Sequence, residues 1–234
     1  HPHRCSNVPG GFEERWPRVS PGGGAYTDEA RGELNTDVHG WVERAGEPAP
    51  QTLHFWPNWY FGTYTTSDQG AWHVTGNDQY LVYGGEFIGL NGIKQQGLTR
   101  MARVGVAGNP NAVRPVSPAE FTPTVVSYAP GQAHVGWQTT YDHDNERLTY
   151  RVYRDYVNLQ ESTPVHEVVA DSSWASRRSL SFIDRGLQPG ATHDYLIVAT
   201  DPDGNRRASG RAKVTIAATT DQEYVNAVLG DLPT

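Results

Sequence analysis

Cysteine and methionine occur once each in the 234 residues. A single Cys5 forms no internal disulfide, so the chain is not a disulfide-stapled framework. In an exported protein such a leftover thiol points to a partner cysteine outside this sequence, which is the expectation here. Basic residues are also short: 19 Lys and Arg against 26 Asp and Glu leave a net charge of −7. With no basic patch, nucleic acid is not an expected partner. No apolar run reaches the roughly 18 residues that a spanning helix needs, so no membrane span is expected. The signatures Gly-x-Ser-x-Gly, His-Glu-x-x-His and Cys-x-x-Cys are absent, which removes their hydrolase and metal chemistries. Glu13-Glu14 and Asp28-Glu29 are adjacent pairs, whereas a glycosidase needs two carboxyls facing each other across a cleft. Pro21-Gly-Gly-Gly24 lacks the Lys-Ser/Thr of a phosphate-cradling loop. No catalytic residue is assigned.

What the chain has in quantity is glycine (25), proline (16) and aromatics (11%), a mix that suits turn-rich β structure. The fold class expected is all-β. The clearest strands lie between Phe121 and Ala217. Ala133–Gln138 alternates around Val135 and Trp137, Leu148–Asp155 puts Leu148, Tyr150, Val152 and Arg154 on one face, and His193–Thr200 puts His193, Tyr195, Ile197 and Ala199 on one face. Period-two alternation between turn clusters marks half-buried strands. About seven such runs fit, as in a β-sandwich.

Trp137 on an early strand, Leu187-Gln-Pro-Gly190 before a late one, and Asp201-Pro-Asp-Gly-Asn205 resemble a fibronectin type III module. The resemblance covers about 95 residues and implies a core built on Trp137, Tyr150, Leu187 and Tyr195. His193 stands where that family usually has a tyrosine tying back to the chain. The expectation is that its imidazole makes the same structural tie.

Upstream, residues 1–69 read as irregular, and residues 70–104 as three strands, Gly70–Gly76, Gln79–Phe87 and Gly97–Val104. The string Tyr80-Leu-Val-Tyr-Gly-Gly-Glu-Phe-x-x-x-Asn-Gly-x-x-x-x-Gly-Leu-x-Arg100 resembles one repeat of a bacterial extracellular β-propeller family. The repeat occurs once, and a single blade cannot bury both of its faces. Residues 1–112 therefore read as the C-terminal part of a propeller, with a protein partner or other copies of the chain covering strands 70–104. Residues 113–120 read as a proline-rich linker, 121–217 as the sandwich, and 218–234 as a short helical tail. That tail opens on a Thr220-x-x-Glu223 capping box. Its Tyr224-x-x-Ala-Val-Leu-x-Asp231 resembles the lead-in to a laminin-G-like module, so further sequence is expected beyond it.

Three groups carry candidate chemistry. Trp56, Trp59, Tyr60 and Tyr64 could stack on the flat faces of a polysaccharide; equally, they could pack the irregular region onto strands. Asp142 and Asp144 in one loop and Asp201 and Asp203 in another are hard oxygen donors suited to Ca²⁺, or turn formers. His1, His3 and Cys5 form a candidate copper or zinc clamp, and a chain beginning with His resembles histidine-brace copper oxygenases in that one respect. Otherwise no cofactor is expected. The function expected is that of a non-enzymatic structural or adhesive protein, extracellular or on a cell surface.

Overall fold

The computed structural model describes residues 25–36, 44–65, 69–103, 105–106, 115–174 and 176–222. The chain divides into two units, His1–Ala112 and Val113–Thr234. Strand is the dominant regular structure in both, and the described residues are all-β apart from a short 3-10 turn at Ala119–Phe121. No helix among them is long and apolar enough to cross a membrane. His1, His3, Cys5 and the tail helix expected beyond Gln222 lie outside the described residues.

The first unit contains strands β1 (Ala25–Glu33), β2 (Pro48–Leu53), β3 (Trp59–Phe61), β4 (Ala71–Gly76), β5 (Tyr80–Gly85), β6 (Phe87–Leu90), β7 (Ile93–Lys94) and β8 (Leu98–Ala102). β1 and β2 form an antiparallel ribbon with two register slips, in a region expected to be irregular. Both strands are mostly exposed, so neither carries the apolar alternation by which a strand is recognised. The stretch Gln79–Phe87 is not one strand: it breaks at Glu86. β5 ends at Gly85, and β6 leaves to pair with β3 and β7. The result is two three-stranded sheets, β4-β5-β8 and β3-β6-β7, the first of them made by the three strands expected over residues 70–104. Trp59, Ala71, Phe87 and Leu90 form a small core, with Phe61, Tyr83 and Met101 against it.

The second unit is a two-sheet sandwich. After the 3-10 turn come β9 (Thr124–Val126), β10 (Gln132–Gln138), β11 (Arg147–Arg154), β12 (His166–Asp171), β13 (Ser179–Arg185), β14 (Thr192–Thr200), β15 (Arg206–Ala208) and β16 (Ala212–Thr215). One sheet has the order β13-β10-β9; the other runs β12-β11-β14, with β15 and β16 both pairing along the far side of β14. All pairings are antiparallel. Alternation decides which residues face inward: Ala133, Val135 and Trp137 from β10 meet Leu148, Tyr150 and Val152 from β11 and Tyr195, Ile197 and Ala199 from β14. Leu187 and Phe121 close the edges of this core. Residues 115–118, expected to be linker, hydrogen-bond into the sandwich through Val116 and Pro115. A smaller apolar cluster of Tyr153, Leu196 and Val198, with Tyr156 against it, lies apart from the main core; Tyr153 has the opposite parity to Tyr150 and Val152, as its position predicts.

Polar groups close both ends of the main core. At one end Arg154 donates to Asp184 at 2.7 Å and the Tyr195 hydroxyl donates to the same Oδ2 at 2.8 Å. At the other, the Tyr150 hydroxyl donates to the Thr140 carbonyl at 2.9 Å and Arg177 to the Thr139 carbonyl at 2.6 Å. Thr139 and Ser172, both buried, share a hydrogen bond of 2.9 Å.

Candidate functional site

The aromatic stretch does not form an open platform. Trp59 is 5% exposed and Trp56 9%. The Trp59 ring packs 4.7 Å from Phe87 and 5.2 Å from Tyr83, both at steep angles. The reason is placement: β3 pairs with β6, which brings Trp59 opposite Leu90 and into the small core. Burying such large rings is the main source of stability open to so small a sheet. Tyr60 and Tyr64 remain at the surface, Tyr64 at 93% exposed.

What presents Tyr64 is a buried carboxylate that the sequence did not single out. Glu86 Oε1 accepts from the Thr65 backbone N–H at 2.7 Å, and Oε2 accepts from the Thr65 hydroxyl. Its backbone joins in: Gly62 N donates to the Glu86 carbonyl at 2.6 Å, and Glu86 N donates to the Gly70 carbonyl at 2.9 Å. Both ends of the segment holding Tyr64 are thus pinned to one residue. The signal for this was the Gly-Gly-Glu-Phe string itself, where a charged residue sits between a strand and a buried Phe87. A buried carboxylate needs donors around it, and here the loop supplies them.

The acidic loops do come together. Asn145 Nδ2 donates to Asp144 Oδ1 at 3.2 Å and to Asp203 Oδ2 at 3.3 Å. Two of the carboxylates, Asp142 and Asp201, turn to their own loops. Asp142 Oδ1 accepts from the Asp144 N–H at 3.1 Å, while the two oxygens of Asp201 accept from Asn205 N and Nδ2, both at 2.8 Å. These are side-chain-to-backbone turn closures of the kind that favour Asp and Asn in loops. No group of three or more His, Cys, Asp or Glu is placed to hold a metal ion among the described residues. Calcium binding by Asp142, Asp144, Asp201 and Asp203 stays an expectation of the sequence. Desolvation by the surrounding loops, then the hydrogen bond and charge of Asp142, then the charge of Asp203, push Asp144 up to about 7. Burial also raises Asp201.

His193 is structural in a different way from the tie expected. Its Nδ1 lies 2.7 Å from Asp155 Oδ2, at the far end of β11, and Asp155 Oδ1 accepts from the Asp194 N–H at 3.0 Å. Burial works against the Asp155 charge, yet the Asp194 N–H, His193 and Arg154 together hold its carboxyl below the usual range. The tyrosine-like tie to a neighbouring strand is made instead by Tyr195, through Asp184.

No family model matches the chain, and no curated protein matches it. Among solved structures it is similar to the sixth fibronectin type III domain of human fibronectin type III domain containing protein 3, at 18% identity and a TM-score of 0.36, over 49% of this chain and 98% of that one. A further fibronectin type III domain of human fibronectin type III domain containing protein 3 aligns at 13% identity and a TM-score of 0.35, over 49% and 97%. A beta-1,2-glucanase from Parabacteroides distasonis aligns at 17% identity and a TM-score of 0.32, over 57% of this chain and 19% of that one. The sandwich assignment rests on the strand pairing and the core, which stand without these likenesses.

Proposed function

We propose that the chain is a non-enzymatic structural and interaction module of an extracellular or cell-surface protein, with the sandwich as its spacer. The observation that carries this reading is the route of the chain through the second unit. It enters beside Tyr141, past the end of β10, and leaves beside Tyr128, before β10 begins. A packed sandwich threaded from end to end separates what lies on either side of it by a fixed length. Fold alone does not confer this role, so the test must act on function. Residues 121–217 are exchanged for an unrelated sandwich of similar length whose ends also lie opposite, and partners cross-linked on the intact producing cell are recovered. The spacer reading expects the same partners. Loss of one of them assigns recognition to the sandwich surface and overturns the reading.

The first unit is read as the interaction end, related to the propeller repeat that its motif resembles. Trp72, Val74, Leu81 and Leu98 on the β4-β5-β8 sheet are exposed apolar residues, and apolar surface gathered on one small sheet favours association. A protein partner or further copies of the chain are the proposed cover. A second reading is favoured by one observation, the 93% exposure of Tyr64 on a segment pinned at both ends. Fixed display of a tyrosine suits stacking on a sugar ring. Binding of a polysaccharide that is lost on Tyr64→Ala and kept on Trp59→Phe would establish it.

A further inference from the structure

Two tyrosines of the aromatic stretch stay at the surface, and β6 connects them. Tyr60, 44% exposed, pairs with Gly89 on β6, and Gly89 pairs with Lys94 on β7. Directly paired residues of antiparallel strands share a face. Tyr60, Gly89 and Lys94 therefore form one row across the sheet, on the face opposite Trp59 and Leu90 of the small core. The glycine in this row is required by its neighbours. A Cβ at position 89 would stand 2.7 Å from Tyr60 Cδ2 and 2.8 Å from the Ile93 carbonyl. The tyrosine ring leans over bare backbone, which supports it from below and leaves its remaining surface to solvent.

Tyr64 belongs to the other end of β6. Its segment is pinned to Glu86 through Thr65, three residues before Gly89, a rise of about 10 Å. That is close to the length of a disaccharide unit in an extended polysaccharide. Lys94 supplies what the rings lack. It is the one lysine of the first unit, in a chain of net charge −7. It is exposed, and its side chain makes no ion pair or hydrogen bond among the described residues. The spacing of neighbouring strands sets it about 5 Å from the line of Gly89, beside the Tyr60 ring.

We infer that this row binds an extended acidic polysaccharide, with sugars stacked on Tyr60 and Tyr64 and a uronate carboxylate held by the Lys94 ammonium. When a pyranose lies face down on an aromatic ring, the carboxylate of a uronate projects from its edge, toward a cation standing beside that ring. A neutral sugar offers only a hydroxyl there. A sulfate ester sits farther out on its bridging oxygen, beyond the one-strand spacing between Gly89 and Lys94. The inference rests on the reading of Tyr64 as a sugar-stacking residue, and adds to it a second ring, a cation and the class of sugar. The aliphatic surface proposed to meet protein is on the other sheet, β4-β5-β8; this one presents separate rings and a charge.

The experiment titrates the full chain calorimetrically with three ligands. These are cello-oligomers, the same oligomers with each primary alcohol oxidised to a carboxylate, and a form with those alcohols sulfated. The carboxylated form is expected to bind about threefold more tightly than the neutral one, the strength of an exposed ion pair. Lys94→Gln should abolish that preference without weakening the neutral ligand, and Lys94→Glu should invert it. Tyr60→Ala should weaken both ligands about tenfold, while Arg100→Gln on the other sheet should change neither. Equal affinity of the unaltered protein for the neutral and carboxylated forms overturns the inference, and so does a preference that survives Lys94→Gln. In both cases binding that is still lost on Tyr64→Ala leaves the stacking reading standing. Tighter binding of the sulfated than of the carboxylated form overturns the choice of uronate. Absence of binding to all three ligands overturns the stacking reading and this inference together.

Discussion

Glu86 shows how a motif that looks like a recognition sequence is spent on its own folding. Gly85 stands at a register slip opposite Ala71, where any Cβ would run into the Gly70 carbonyl and the Trp72 amide. Glu86 pins the segment carrying Tyr64, and Phe87 fills the core at 1% exposed. Asn91 and Gly92 both have positive φ, 48° and 85°, the requirement of a two-residue hairpin turn and the reason for Asn-Gly there. Replacing Glu86 by Ala leaves the Thr65 N–H and hydroxyl without this acceptor, at a cost of about 2–3 kcal/mol. Limited proteolysis should then cut between residues 62 and 70; resistance equal to the unaltered protein contradicts the pinning role. Asp144 gives a second test at this scale. In the folded protein it holds its proton to about pH 7, in an unfolded chain only to about pH 4. Between those values the folded state binds the extra proton, so the stability that Asp144 contributes is full below about pH 4 and is lost as pH rises through about 7. Asp144 reaches solvent, so the effect is modest. The melting temperature should carry a component that declines from pH 5 to pH 8, and Asp144→Asn should remove it; an unchanged slope in the variant contradicts the crowding at this loop.

At the scale of the strand, parity was what the sequence disclosed. Val135 and Trp137, and Leu148, Tyr150 and Val152, face the core as their alternation requires. Arg154 also has inward parity, and so does Asp184 on β13, after Leu180 and Phe182. Two opposite charges at inward positions on strands of different sheets were a legible sign of a cross-sheet pair. Only the structure brings them to 2.7 Å. Asp184→Ala removes the acceptor shared by Arg154 and Tyr195. Breaking a buried pair costs about 3–5 kcal/mol; because Arg154 is partly exposed, about 3 kcal/mol is expected from chemical denaturation. A change below the cost of one ordinary hydrogen bond would contradict the clip between the sheets. Other elements were not legible. β1 and β2 carry no apolar stripe, so their pairing is set by backbone bonds and has no side-chain pattern. The break at Glu86 was hidden because β5 and β6 are both apolar and only one residue separates them. The acidic loops were legible as aspartate-rich turns, but residue type does not reveal whether an aspartate oxygen faces an ion or its own backbone.

For the whole molecule, the two units differ in how completely they bury their apolar residues. Among the described residues of the second, thirteen form one core, and nine of these are wholly shielded. Among the described residues of the first, the core cluster is four residues, and Leu98 remains 60% exposed. That contrast underlies the assignment of the sandwich to spacing and of the first unit to association. The central claim is that the sandwich is a rigid body whose ends are fixed on opposite sides. It is tested most directly by spin labels on Ser117 and Thr219, both exposed, in a Cys5→Ser background of the full chain. The account predicts one narrow distance of roughly 25–35 Å, about the length of a seven-residue strand with its end loops. A broad distribution, or a short distance placing both labels at one end, would contradict it.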